Sequence, residues 1–307
     1  MESRRKFVGR FSGLALMMGA SRRFLEAAEP SRFQFRYMLA SSMYGKLPLE
    51  VILPEVAKVG AEWIDIWPQV HGNQREQLDA IGLDAFDALL NEHEIRLGCL
   101  THYDLGPFGL APAFETAQRF ACPVIVTGGR GPRDLSGSEL RSAVKTFCEQ
   151  MTPHLDQAGE RGVNIAIENH ANNLIHTPDS LKWLIELRSR PNLKIALAPY
   201  HLEEQVEGAA GLASLIRHVG SEMAVFYAWQ HGLGCHQKLP KEQELLQLPG
   251  RGSLDFQAPI EALREVGFSG FTEIFMHPVP RGIPILPTAA QTTEEINRSR
   301  SYLERLL

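Results

Sequence analysis

From residue 33 to the C-terminus, short apolar runs alternate eight times with longer segments of helical period, and this alternation restricts the possible folds more than any other feature of the chain. The apolar runs span residues 35–40, 63–66, 96–101, 124–127, 164–168, 194–198, 223–229 and 270–275. Amphipathic stretches fall at 48–59, 82–93, 139–159, 179–188, 209–219 and 257–266. The runs have strand length and near-continuous apolar character, as expected of strands buried on both faces. Strands that alternate with helices form parallel βαβ units. Eight such units suit a closed barrel better than an open sheet. A doubly wound, nucleotide-binding sheet would carry G-x-G-x-x-G after its first strand, and none follows here. The expected fold is therefore α/β, a single-domain (β/α)8 TIM barrel over residues 33–307.

Local signals agree with this division of the chain. Thr177 and Pro178 precede Asp179 at a helix start, and Ser136 with Glu139 has the spacing of a capping box. The longest connection, 230–253, holds Gly232, Gly234, Gly250 and Gly252, and loops of this length often bind ligands. A second long segment, 278–292, carries four prolines and is expected to be stiff.

Residues 1–28 read differently from the body. Arg4, Arg5 and Lys6 precede a short apolar stretch at 11–20, and Ala27 and Ala28 follow. Paired arginines before a weakly apolar run resemble a Tat export signal, which implies a periplasmic protein that crosses the membrane already folded. The apolar stretch is far shorter than the about 20 residues needed to span a bilayer, so no membrane attachment is expected after export. This segment holds six basic and two acidic residues, which leaves 25 basic and 34 acidic in the remainder, a net charge of −9. An acidic body without a basic stripe argues against nucleic acid as a partner, because Lys and Arg supply most of that affinity. Homo-oligomerisation stays open. Cys99, Cys122, Cys148 and Cys235 show no C-x-x-C spacing, and buried free thiols are expected.

In a barrel of this kind the active site lies at the C-terminal ends of the strands, so polar residues that end apolar runs are the candidates. They are His102, Glu168 and His170 in IAIENH, His201 after IALAPY, Gln230 and His231 after FYAW, and Glu273 and His277 in FTEIFMH. A carboxylate at the end of an apolar strand is costly unless paired, hydrogen-bonded or bound to a metal. Glu168 and Glu273 occupy such positions on the fifth and eighth strands, where they are suited to proton exchange with a substrate held between them. His102, His170, Tyr227, Trp229 and Gln230 are the expected substrate contacts, with Trp67, Tyr227 and Trp229 offering an aromatic wall.

The segment LPGRGSLDFQAPIEALREVGFSGFTEI at 248–274 resembles the glycine-rich loop, helix and last strand of the xylose-isomerase-like TIM barrel family, whose strand ends in a metal-binding Glu. IAIENHANN followed by HTPDSLKWLIE is similar to that family's fifth strand and helix, where the Glu is both ligand and base. The resemblance covers residues 33 to 306 and implies a sugar isomerase or epimerase, or a related lyase, that moves a proton alpha to a carbonyl. It implies Glu168, Glu273 and His201 as the catalytic set, His201 matching the histidine of a sixth-strand D-x-x-H pattern. It also implies a divalent metal (Mn, Mg or Zn) held by Glu168, Glu273, His201 and His231. Two positions depart from the pattern. Ala198 stands where the pattern has Asp, and Phe226 or Tyr227 stands where the seventh strand offers a ligand His. Either His231 or His277 rebuilds the site, or the barrel has lost its metal and binds carbohydrate without turning it over.

Overall fold

The computed structural model describes residues 33–232 and 236–307. The export segment expected at 1–28, and Cys235, lie outside the described residues. Phe33–Leu307 form one compact unit. Its eight strands are β1 (Arg36–Ala40), β2 (Trp63–Ile66), β3 (Arg96–Thr101), β4 (Val124–Gly128), β5 (Asn164–Glu168), β6 (Leu193–Leu197), β7 (Met223–Ala228) and β8 (Phe271–Ile274). All pair in parallel in chain order, and β8 closes on β1, so the sheet has no free edge.

Among the described residues ten helices surround the barrel: α1 (Leu49–Lys58), α2 (Gln74–Ile81), α3 (Leu83–Glu92), α4 (Ala111–Arg119), α5 (Gly137–Gly159), α6 (Pro178–Leu187), α7 (Gly208–Val219), α8 (Lys241–Glu244), α9 (Gln257–Glu265) and α10 (Ala289–Glu304). Helix α5 shows why they pack as they do. Leu140, Val144, Phe147, Cys148, Met151 and Leu155 recur every three or four residues and are buried, which lays one apolar stripe against the sheet. None of the described helices is long and apolar enough to cross a membrane.

The sequence expectations differ from the structure mainly at short helices. α2, α4 and α8 carry too few apolar residues in register to stand out, and α10 begins within the segment read as a stiff proline-rich connection. The expected capping box at Ser136 is absent, because Gly137 opens α5 at φ +52° and its left-handed backbone takes the turn off the capping geometry. The box forms instead at Thr177, whose side chain accepts from the Ser180 amide while Ser180 Oγ accepts from the Thr177 amide. Cys99, Cys122 and Cys148 are free and buried, and burial pushes the Cys122 and Cys148 thiols up to about 12.

The floor of the barrel is sealed by stacked cations and rings. The Arg36 guanidinium lies 4.4 Å from the Trp63 ring centroid and 4.2 Å from that of Phe271, with Arg96 5.3 Å from Trp63. Gly98 fits this layer because it has no side chain: an added Cβ would come within 2.5 Å of Met38 Sδ and 3.1 Å of Trp63 Cβ. Gly98→Ala is therefore expected to destabilise the fold by about 1–3 kcal/mol through overpacking. Urea unfolding followed by circular dichroism would report it as a lowered midpoint. With the floor closed, chemistry is confined to the opposite end of the barrel.

Candidate active site

Three carboxyl groups converge inside the barrel near the C-terminal strand ends: Asp65 on β2, Glu168 on β5 and Glu273 on β8, all buried. Asp65 Oδ2 accepts a 2.6 Å hydrogen bond from Thr101 Oγ1 on β3. Burial raises Asp65 to about 6, opposed by the Thr101 bond. Burial and then the Asp65 charge raise Glu168 to about 8. Glu273 is pushed well above the usual carboxylate range by burial first and by the charges of Asp65 and Glu168 second. Desolvation disfavours the charged form of each group, and every ionised neighbour adds to that cost.

His201 follows β6 and points at Glu168, its Nε2 3.7 Å from Glu168 Oε1 and without a hydrogen-bond partner. Burial lowers its pKa to about 2, so the ring is neutral at physiological pH. His170 packs against it with ring centroids 4.1 Å apart and has Nδ1 2.7 Å from the Ala171 carbonyl oxygen. Asn169 joins the two strand ends: its amide donates to the Ala198 carbonyl at 2.9 Å and accepts from the Ala198 N–H at 2.8 Å. A cavity of about 340 Å³ opens at this point, lined by His201, Tyr200, His176, Asn173, Arg133 and His231 among others. Its size falls in the range of small-molecule sites. Glu168 does not line it, so His201 is the group between the cavity and the buried carboxyl.

The other expected contacts are arranged for packing. Trp229 stacks on Tyr200, with centroids 4.1 Å apart and planes 8° apart, and donates its indole N–H to Gln247 Oε1 at 3.0 Å. Trp67 stacks on Phe275 at 5.2 Å. These rings and Tyr227, the expected aromatic wall, are almost fully buried and pack as one layer. Gln230 is likewise engaged within the protein. Its amide donates to the Leu248 carbonyl at 2.6 Å and accepts from the Leu254 N–H at 2.8 Å, which pins the long loop. Gly252 permits this approach, since a Cβ there would sit 2.6 Å from Gln230 Oε1. His102 is buried with Nδ1 3.1 Å from Asp104 Oδ1. His277 stacks on His71 at 4.4 Å, within a layer shared with Trp67, Trp229 and Phe275.

Sequence reasoning missed Asp65, Asn169 and Gln247. Asp65 sits inside the run WIDI, where a rule that selects polar residues beyond the end of a run does not reach it. An acidic residue interrupting an apolar strand was the available signal. Asn169 lies between Glu168 and His170, whose ionisable groups give the stronger signal, and Gln247 lies in a loop whose sequence carries no periodicity.

A family model described as a xylose isomerase-like TIM barrel matches residues 53–302. The chain belongs to that family. No curated relative matches its sequence. Among solved structures, this xylose isomerase-like barrel is similar to the IolI protein with a bound zinc atom, at 18% identity and a TM-score of 0.67, covering 89% of this chain and 99% of that one. It is also similar to D-psicose 3-epimerase with D-tagatose from Clostridium cellulolyticum H10, at 16% identity and TM-score 0.64, covering 89% and 99%. A third is the probable 3-DHS dehydratase AsbF of Bacillus anthracis, at 16% identity and TM-score 0.62, covering 89% and 98%. Likeness at these identities establishes the shared barrel.

The donor set of this family member does not fit the divalent ion that the resemblance implies. Ala198 offers no side-chain donor, and its backbone is engaged by Asn169. Tyr227, the register partner of Glu273, holds its phenol proton because burial and nearby carboxylates raise its pKa well above the ordinary value. His231, expected to complete the set, turns to the rim, where Nδ1 lies 2.7 Å from Glu203 Oε2. The ring of His277 is held in the aromatic layer described above. Among the described residues no group of three or more His, Cys, Asp or Glu side chains is arranged to hold a metal ion.

Proposed function

We propose that this barrel is an enzyme that moves a proton alpha to the carbonyl of a small carbohydrate, with isomerisation, epimerisation or a related elimination as the outcome. The observation that carries this reading is Glu168, a buried carboxyl raised to about 8 and 3.7 Å from a neutral His201 at the wall of a 340 Å³ cavity. A group poised near neutral pH serves as acid and base within one cycle. Glu168 does not line the cavity, so the neutral His201 ring takes the proton from carbon, and Glu168, as a carboxylate 3.7 Å away, stabilises the imidazolium that forms. Glu273, which keeps its proton well above the usual range, is the acid on the far side of the barrel.

The epimerase and dehydratase neighbours support this class of substrate and both outcomes. The metal-assisted form is not part of the proposal, since the donors do not fit it. Arg4 and Arg5 support export of the folded barrel to the periplasm as part of the same reading. A non-catalytic, carbohydrate-binding barrel is the second reading, favoured by Ala198 at the position of a family Asp. Incubation with a panel of keto- and aldo-sugars in deuterated water distinguishes them. The expected result is deuterium at the carbon alpha to the carbonyl of at least one sugar, read by NMR; binding without exchange would favour the second reading.

A further inference from the structure

Two residues of the active-site cavity, Glu203 and His231, also line a second cavity of about 310 Å³. The turn after β6 runs between the two spaces: Pro199 faces the second, whereas Tyr200 and His201 face the first. At the junction stands the pair itself, with His231 Nδ1 2.7 Å from Glu203 Oε2 and side chains 38% and 46% exposed, so burial does not hold it closed. Exposed pairs of this kind add little to stability, and a ligand can part this one at small cost. The chemistry of the two spaces differs. Histidines, asparagines and charged groups line the first, whereas Pro199, Val206, Ala209, Leu212 and Leu254 give the second a mainly apolar wall. Glu203 and Asp255 at its edge repel an anion, which leaves a neutral group as the fitting occupant. An apolar cavity of about 150 Å³ is enough to hold benzene, so the second space is ample for one aromatic ring.

We infer that the two cavities are compartments of one binding site, and that the substrate is a sugar bearing an uncharged apolar substituent: the sugar lies against His201, and the substituent passes the Glu203–His231 pair into the second space. The inference rests on the proposed carbohydrate site for the identity of the first compartment and adds what the second one selects. Ala209, in the first turn of α7, is then a specificity-determining residue, because its small side chain leaves the second compartment open. Burial of one aromatic ring there strengthens binding by about 10–100-fold over a derivative that fills the first compartment alone.

The test is titration calorimetry of the full chain with D-glucose and D-fructose substituted at O1 or at O6, each as its methyl and its benzyl derivative. For at least one sugar and position the benzyl derivative is expected to bind about 10–100-fold tighter than the methyl one. Ala209→Phe fills the second compartment and should bring that ratio close to one; Ala209→Leu, a smaller filler that suits a helix, serves if the larger ring disturbs α7. Equal affinity of methyl and benzyl derivatives in the wild type would overturn the inference and leave the carbohydrate site standing. A benzyl preference that survives both substitutions would overturn it too, since the ring would then lie elsewhere. Failure of every derivative to bind would remove the carbohydrate site along with it. Binding is read without turnover, so a benzyl preference in a protein that exchanges no deuterium would uphold the two compartments while the proposed reaction fails.

Discussion

Replacing Glu168 by Gln is expected to lower proton exchange into a responsive sugar by about 10²–10⁴-fold, the usual contribution of a positioned acid or base. The substitution is nearly isosteric and leaves the barrel intact, so circular dichroism should be unchanged while the exchange rate falls. The pH dependence carries a sharper signature. With its pKa near 8, Glu168 is mostly protonated at neutral pH, so a rate that needs the carboxylate should climb about tenfold per pH unit up to about 8 and then level. Stability should move the other way. In the unfolded chain the same group titrates near 4.5, so between about 4.5 and 8 the folded state binds a proton that the unfolded state has released. Its contribution is neutral below 4.5, turns increasingly unfavourable through that window, and is constant above 8. Above pH 8, Glu168→Gln should thus be more stable than the wild type, by on the order of a few kcal/mol, while being far less active. Urea unfolding of both proteins at pH 5 and pH 8.5 would show it. A gap that did not widen with pH would place the carboxylate in a paired, low-pKa state.

Gln247→Leu is expected to cost about 3–5 kcal/mol, since it removes the partners of several buried polar groups at once, each worth about 1–3 kcal/mol when left bare. The Gln247 amide donates to the His277 carbonyl at 2.9 Å and to the Glu244 carbonyl at 3.1 Å. Its oxygen accepts from the Trp229 indole at 3.0 Å and from the His277 N–H at 3.3 Å. One side chain therefore pairs with both backbone groups of His277, as a neighbouring strand would, and ties the end of β7 to the segment after β8. Leu has similar bulk but satisfies none of these groups. The measurement is a denaturation midpoint together with the near-ultraviolet circular dichroism of Trp229. A lowered midpoint with an altered aromatic signal is expected, and an unchanged midpoint would show that the loop is held by other contacts.

Glu168, Glu273 and His201 were legible because each ends or closely follows an apolar run, and a polar group there lies at the mouth of any barrel built from such runs. Their roles were less legible. Trp229 and Gln230 satisfy the same positional rule, yet one donates to Gln247 and the other to the loop around Leu248. His231 satisfies it as well, but pairs with Glu203 at the rim. Position along a strand specifies the level a side chain reaches. It does not specify which partner on another strand meets it there.

The sequence by itself determined the barrel, because eight apolar runs alternating with amphipathic helices leave a single economical way to bury both faces of every strand. It also determined that carboxyl and imidazole groups gather at one end. Only the tertiary structure decided that Thr101 donates to Asp65 from the neighbouring strand, that His201 stands between the cavity and Glu168, and that Ala198 is held by Asn169 without offering a donor. The physical reason is the range of the forces involved. Apolar burial is non-directional and follows a local pattern, so it can be read along the chain. Hydrogen bonds and pKa shifts depend on angstrom-scale distances between residues up to 249 positions apart, as Tyr44 and Thr293 are, and those distances exist only once the barrel has closed.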